Sequence, residues 1–124
     1  MNERNQVQSY RDLIVWQKSI ELVKMVYELI RKFPKYETYG LADQLRRSSV
    51  SVPSNIAEGQ ARQHTREFKQ FLYISLGSIS EVDTQIIIAE QLDYISAQDA
   101  KELQQLIVEI QKMLRTLIVR LPNH

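Results

Sequence analysis

Arg62, Arg66 and Lys69 stand at spacings of four and three in this 124-residue chain, with His64 among them. On one continuous helix that spacing lines a single face. Long cationic side chains beside an inter-helix turn are free to reach phosphate. The three residues are therefore the first candidates for contact with RNA or DNA. The same charges also suit an ordinary solvated surface, and Glu58 and Glu67 dilute the patch. Lys18, Lys24, Arg31, Lys32 and Lys35 add positive charge on and after the first helix. One subunit carries few such groups, whereas a ring of subunits would multiply them.

A second candidate is the segment from Arg46 to Gly59, with two arginines, four serines, Pro53, Asn55 and Glu58 inside a helical pattern. Arg46 and Arg47 are adjacent and point about 100° apart. They fit a solvated face with an ion pair to Asp43 or Glu58, or a phosphate contact. Glu58 fits local capping, an ion pair with an arginine of an adjacent helix, or contact with a ligand or partner. Pro53 in a helix interior costs about 3 kcal/mol. Either the helix kinks there, with serine hydroxyls answering the freed carbonyls, or it ends near Val50 and restarts with Ser51 as cap. The kinked, nearly continuous helix is the favoured form.

Other chemistry lacks its residues. There is no cysteine, which removes disulfides, thiolate chemistry and cysteine-built metal sites. The two histidines, His64 and His124, are not preceded by glutamate at the spacing of a di-iron bundle. Phosphate-loop and dinucleotide glycine patterns are missing, and helical spacing assembles no Ser–His–Asp set. The expectation is a protein that is not an enzyme and takes no cofactor or metal.

Hydrophobic residues make up 44% of the chain and charged residues 25%, as in one ordinary globular domain. No apolar run approaches the roughly 20 residues of a membrane span, and the polar start lacks a signal peptide's apolar stretch. A cytoplasmic location is expected. Net charge is +1 but unevenly placed: 12 Lys/Arg against 8 Asp/Glu in residues 1–72, and 4 against 7 in residues 73–124. That asymmetry would steer an anionic partner to the first half, and complementary helices of one bundle would show it too.

Periodicity predicts four helices that position these groups. The first runs from about Tyr10 to Lys32, with Leu13, Trp16, Ile20, Val23, Tyr27 and Ile30 lining one face, widened by Val15, Leu22, Val26 and Leu29. Pro34 stops it. The second begins after Thr38 or Tyr39, and Gly59 is its C-terminal break. The third runs from Thr65, as cap, to about Leu92. Its small residues Ser75, Gly77, Ser78 and Ser80 would let a neighbouring backbone approach. The fourth starts at the capping-box-like Ser96-Ala97-Gln98-Asp99 and ends at Pro122. The aromatic residues, Tyr73 among them, read mostly as core or end-of-bundle packing, with Tyr36 and Tyr39 as possible interface anchors.

The predicted fold is all-α, an antiparallel up-down-up-down bundle over residues 10–121 with a proline-distorted second helix. Residues 1–9 are expected to form a flexible polar N-terminus and residues 122–124 a tail. Ile86-Ile87-Ile88 spreads apolar surface over about 200° of the third helix, which fits the core of a small bundle or a face against another subunit, and assembly with further copies is expected.

The stretch Tyr10-Arg11-Asp12-Leu13-Ile14-Val15-Trp16-Gln17-Lys18 resembles the opening of the small bundle proteins encoded in intervening sequences of bacterial 23S ribosomal RNA genes, the S23-like family. Gln44-Leu45-Arg46-Arg47-Ser48-Ser49, Val52-Pro53-Ser54-Asn55-Ile56-Ala57-Glu58-Gly59, Phe68-Lys69-Gln70-Phe71-Leu72-Tyr73-Ile74 and Gly77–Gln85 are similar to the same family. The resemblance covers about residues 10–119. It implies a homopentamer of four-helix bundles with a central channel. It also implies a relation to the accessory variability proteins of diversity-generating retroelements, which bind a reverse transcriptase and nucleic acid. Arg46, Arg47, Pro53, Asn55, Glu58 and Gly59 match the family motif, with a structural or assembly role implied. This chain is less basic than the retroelement branch. The partners implied are itself, RNA or DNA, and a nucleic-acid-associated protein.

Overall fold

A computed structural model describes residues 9–123. Most of the expected N-terminal segment, and His124, lie outside the described residues. Four α-helices follow one another: α1 Ile14–Ile30, α2 Leu41–Ala61, α3 Thr65–Gln91 and α4 Ala97–Arg120, with short 3-10 turns at Tyr10–Asp12 and Lys35–Glu37. The described residues contain no strand, and the fold is an all-α bundle.

The first helix begins later than its apolar pattern suggests. The Ser9 hydroxyl accepts from the Arg11 N–H at 3.0 Å and the Asp12 carboxylate from the Ser9 N–H at 3.2 Å, closing a capping box around Tyr10–Asp12. Extended Leu13 then leads into α1. The buried stripe is Val15, Ser19, Leu22, Val26 and Leu29, which apart from Ser19 are the residues expected only to widen the face. Ile20 and Tyr27 are exposed. Two interleaved patterns satisfied the same period, and Ser19 made the true one look broken. Ser19 is fully buried because its hydroxyl donates to the Val15 carbonyl at 2.7 Å, leaving no unmet polar group.

Cross-links between helices define the packing order. Lys32 at the end of α1 meets Asp99 at the start of α4 at 2.6 Å, and Lys18 meets Glu109 at 3.5 Å, so α1 and α4 run antiparallel. Ser48 reaches Gln85 and Val52 reaches Ser75, so α2 and α3 do likewise. Each helix lies beside its sequence neighbours, and α4 closes against α1. The core comprises Leu22, Leu45, Ile56, Leu72, Ile79, Ile86, Leu103 and Ile110, which have no solvent exposure, and their buried neighbours. At about 25 cal/mol per Å² of apolar surface, this burial is the main stabilising term.

The helix ends are satisfied individually. Gly40 precedes α2 without a side-chain cap, and the Glu37 carboxylate takes the Leu41 N–H at 2.9 Å instead. His64, not Thr65, is the residue capping α3, and its side chain makes no cap hydrogen bond. Asp93, at φ 62°, ends α3. The Tyr94 N–H reaches the Ala89 carbonyl and the Asp93 N–H the Glu90 carbonyl, both at 2.9 Å, which is a Schellman arrangement with aspartate where glycine is usual. Ser96 accepts from the Asp99 N–H at 3.0 Å to start α4.

By length and composition α3 could cross a membrane. In the bundle its apolar stripe is occupied: Leu72, Ile79, Val82 and Ile86 are core residues.

Candidate nucleic-acid interface and the polar α2–α3 seam

The Arg46–Gly59 segment forms α2's seam with α3. The helix runs without interruption through Pro53, which is buried, so the restart at Ser51 does not occur. Proline frees the carbonyl of Ser49, four residues back. The serine hydroxyls nevertheless go elsewhere. Ser48 donates to Gln85 Oε1 at 2.7 Å, with the Gln44 carbonyl 3.0 Å from the same hydroxyl, and Ser49 donates to the Arg46 carbonyl at 3.2 Å. Ser51 and Ser78 hydroxyls meet at 2.8 Å, and Asn55 Nδ2 donates to both the carbonyl and hydroxyl of Ser51 at 2.8 Å. From α3, Ser75 donates to the Val52 carbonyl at 2.9 Å.

Gly59 does not end α2. It is buried two residues before the helix end, and a β-carbon there would lie 2.6 Å from Phe71 Cβ. Its role is to let α2 and α3 touch. Gly77, expected at a close approach, is exposed, with no atom within 4 Å of a β-carbon placed there.

The five candidate cations separate into two groups. Arg47 Nε pairs with Asp43 at 2.9 Å. Arg46 donates to the Thr38 carbonyl at 2.7 Å and lies 3.7 Å from Asp43. Arg62 pairs with Glu58 at 2.9 Å and approaches Glu67 at 4.0 Å, its guanidinium 5.2 Å from the Phe71 ring centre. The hydrogen bond that Arg62 donates to Glu58, then the charge of Glu58, holds Arg62 still more firmly protonated. Glu58 thus bonds an arginine one turn along its own chain, not one of an adjacent helix.

Arg66 and Lys69 are different. No described residue offers Arg66 a hydrogen bond or ion pair, and Lys69 Nζ is held by the neutral amide oxygen of Asn123. Arg62 does not share their helix: α2 ends at Ala61, and Gln63 at φ 64° turns the chain before α3. Arg66 and Lys69 border a cleft of about 470 Å³ with Gln70, Tyr73, Pro122 and Asn123.

Tyr73, expected in packing, is 58% exposed. Its periodic position was the available sign, because the residue lies one step outside α3's buried stripe. The part played by Asn123 was illegible, since it arrives from 54 residues away. Tyr36 and Tyr39 are exposed as well. At the other end of the bundle, the Tyr94 hydroxyl donates to Glu37 at 2.8 Å and lies 3.3 Å from the Tyr36 hydroxyl. The Leu41 N–H, then Tyr94, holds the Glu37 carboxyl below its usual range, and Tyr36 and Glu37 push the Tyr94 phenol up. Among the described residues no three carboxylates or imidazoles converge as a metal ion requires.

Four helices, two of them joined by a hydroxyl-rich seam, with Arg66 and Lys69 facing no carboxylate at one end, define a four-helix-bundle protein. More specifically, the chain belongs to the 23S rRNA-intervening sequence protein family, whose model matches residues 11–116. A crystal structure of a protein of unknown function from the S23 ribosomal protein family of Bacteroides thetaiotaomicron is similar in fold. It has a TM-score of 0.78 and 24% identity, covering 85% of this chain and 98% of that one. Comparison with curated protein sequences finds no match.

Proposed function

We propose that the protein is a non-enzymatic, cytoplasmic accessory protein that assembles with itself as a homopentamer and holds RNA or DNA at the α3 start of each bundle. One observation carries this reading: Arg66 and Lys69 lie together at a cleft with no carboxylate partner, whereas Arg46, Arg47 and Arg62 each lie against one. Uncompensated cations repeated around an oligomer supply the phosphate neutralisation that nucleic-acid affinity needs. A relation to the retroelement accessory proteins would add a nucleic-acid-associated protein, such as a reverse transcriptase, as a partner.

A second reading is a self-assembling bundle that binds only protein. It is favoured by the outer face of α3, where Ile87, Ile88 and Leu92 are between 41% and 51% exposed.

Titration of labelled structured RNA and DNA across a salt series separates the two. Binding that weakens as salt rises supports phosphate contact; no binding at about 50 mM salt overturns it. Native mass measurement tests the assembly, with five 14.6 kDa chains expected and a monomer overturning it.

A further inference from the structure

Arg66, Lys69, Gln70 and Tyr73 occupy positions i, i+3, i+4 and i+7 of α3, a single helical stripe. It lies outside the buried stripe of α3, on the side of an amphipathic helix that is normally polar. Here it carries two cations, an amide and an exposed phenol ring, and it faces Pro122 and Asn123 across a cleft of about 470 Å³. That volume lies within the range of about 300–1,000 Å³ typical of small-molecule sites. Arg66 has no partner among the described residues, and Lys69 is steadied by the neutral Asn123. The nearby acids are engaged elsewhere, Glu58 and Glu67 both against Arg62.

We infer that this cleft takes an unpaired nucleotide of a single strand, with its phosphate against Arg66 and Lys69 and its base on the Tyr73 ring. The inference rests on the nucleic-acid reading above and narrows it. Cations alone would suit any phosphate backbone. An exposed ring one turn from Lys69, roughly 6 Å along the helix, adds a surface that only an unstacked base can use. Bases inside a duplex are already stacked and present only their edges. The amides of Gln70 and Asn123 both donate and accept, so they tolerate different base edges. The site therefore selects for strandedness over sequence.

The test uses the full chain and a fluorescein-labelled 12-nucleotide RNA without self-complementarity. It is offered single-stranded, as a perfect duplex, and as the same strand in DNA. Anisotropy at about 50 mM salt should give single-strand affinity at least about tenfold above duplex affinity, and binding of either the RNA or the DNA strand supports the assignment. Tyr73→Ala should weaken the single strand roughly tenfold or more and leave the duplex unchanged, while Tyr73→Phe keeps the ring and restores affinity. Tyr73 is exposed, so these variants should keep the wild-type melting temperature. Equal affinity for duplex and single strand, or indifference to Tyr73→Ala, overturns the nucleotide site while leaving phosphate binding intact. Absence of binding to any of the three by the unaltered protein overturns both.

Discussion

The Ser75 hydroxyl on α3 donates to the Val52 carbonyl on α2 at 2.9 Å, one residue before Pro53. Both residues are wholly buried, so α3 supplies a polar group to the backbone of α2 beside the helix's one proline. Ser75→Ala should destabilise the protein by about 1 kcal/mol, the usual net worth of such a bond. Ser75→Leu should cost more, about 1–3 kcal/mol, because the seam has no room for the added carbons. Urea unfolding midpoints at constant slope check both values.

The two helical glycines should respond in opposite directions. At Gly59 an added methyl meets Phe71 Cβ at 2.6 Å, a backbone-proximal atom that moves only with its helix. Gly59→Ala should lose about 1–3 kcal/mol from overpacking, less the roughly 1 kcal/mol gained in helix propensity. At Gly77 nothing opposes the methyl, and Gly77→Ala should gain close to that full 1 kcal/mol. Thermal melts of the two variants should shift to opposite sides of the parent.

Acid should weaken the α2 start in a way that depends on Glu37. Its carboxylate accepts the Leu41 N–H and the Tyr94 hydroxyl, which lowers its folded pKa. A lowered folded pKa contributes stability above the unfolded value of about 4.3, lost as pH falls through the folded one. At pH 7 the parent should exceed Glu37→Gln in stability, and the gap should close in acid below about pH 4.3. Asp99, held low by the Lys32 ammonium and then by Ser96, should act in the same direction. A persistent gap at the acid end, read from urea midpoints, would count against the carboxylate's role.

Asp93 ends α3 in the left-handed region at φ 62°, where aspartate is tolerated and glycine is preferred. Both Schellman hydrogen bonds are made by backbone atoms, so Asp93→Gly should keep them and relieve the strain. The expected gain is about 0.5–1 kcal/mol. Calorimetry should show a raised Tm without a changed unfolding enthalpy beyond its error.

The sequence and the structure agree most closely where a helix has one unambiguous stripe. Among the residues buried on α3, Leu72, Ser75, Ile79, Val82, Ile86 and Ala89 recur at alternating spacings of three and four, a period legible in the chain itself. Agreement fails on α1, where two patterns of equal period competed and a buried serine marked the correct one. It fails again at the glycines, since Gly59 and Gly77 look alike until a neighbour is known.

By itself, then, the sequence determined the number of helices, their limits at Pro34 and near Pro122, the continuity of apolar faces and the family. Those properties are local: they follow from the 3.6-residue period, the caps and the breakers. Only the tertiary structure decided which charges are spent. Arg46, Arg47, Arg62, Arg66 and Lys69 are equivalent cations in a string of letters. Asp43, Glu58 and Glu67 neutralise three of them, and Asn123, which returns from the far end of α4, leaves Lys69 its charge. Pairing depends on distances through space that fall steeply within a few ångströms, and a helical period carries no information about them.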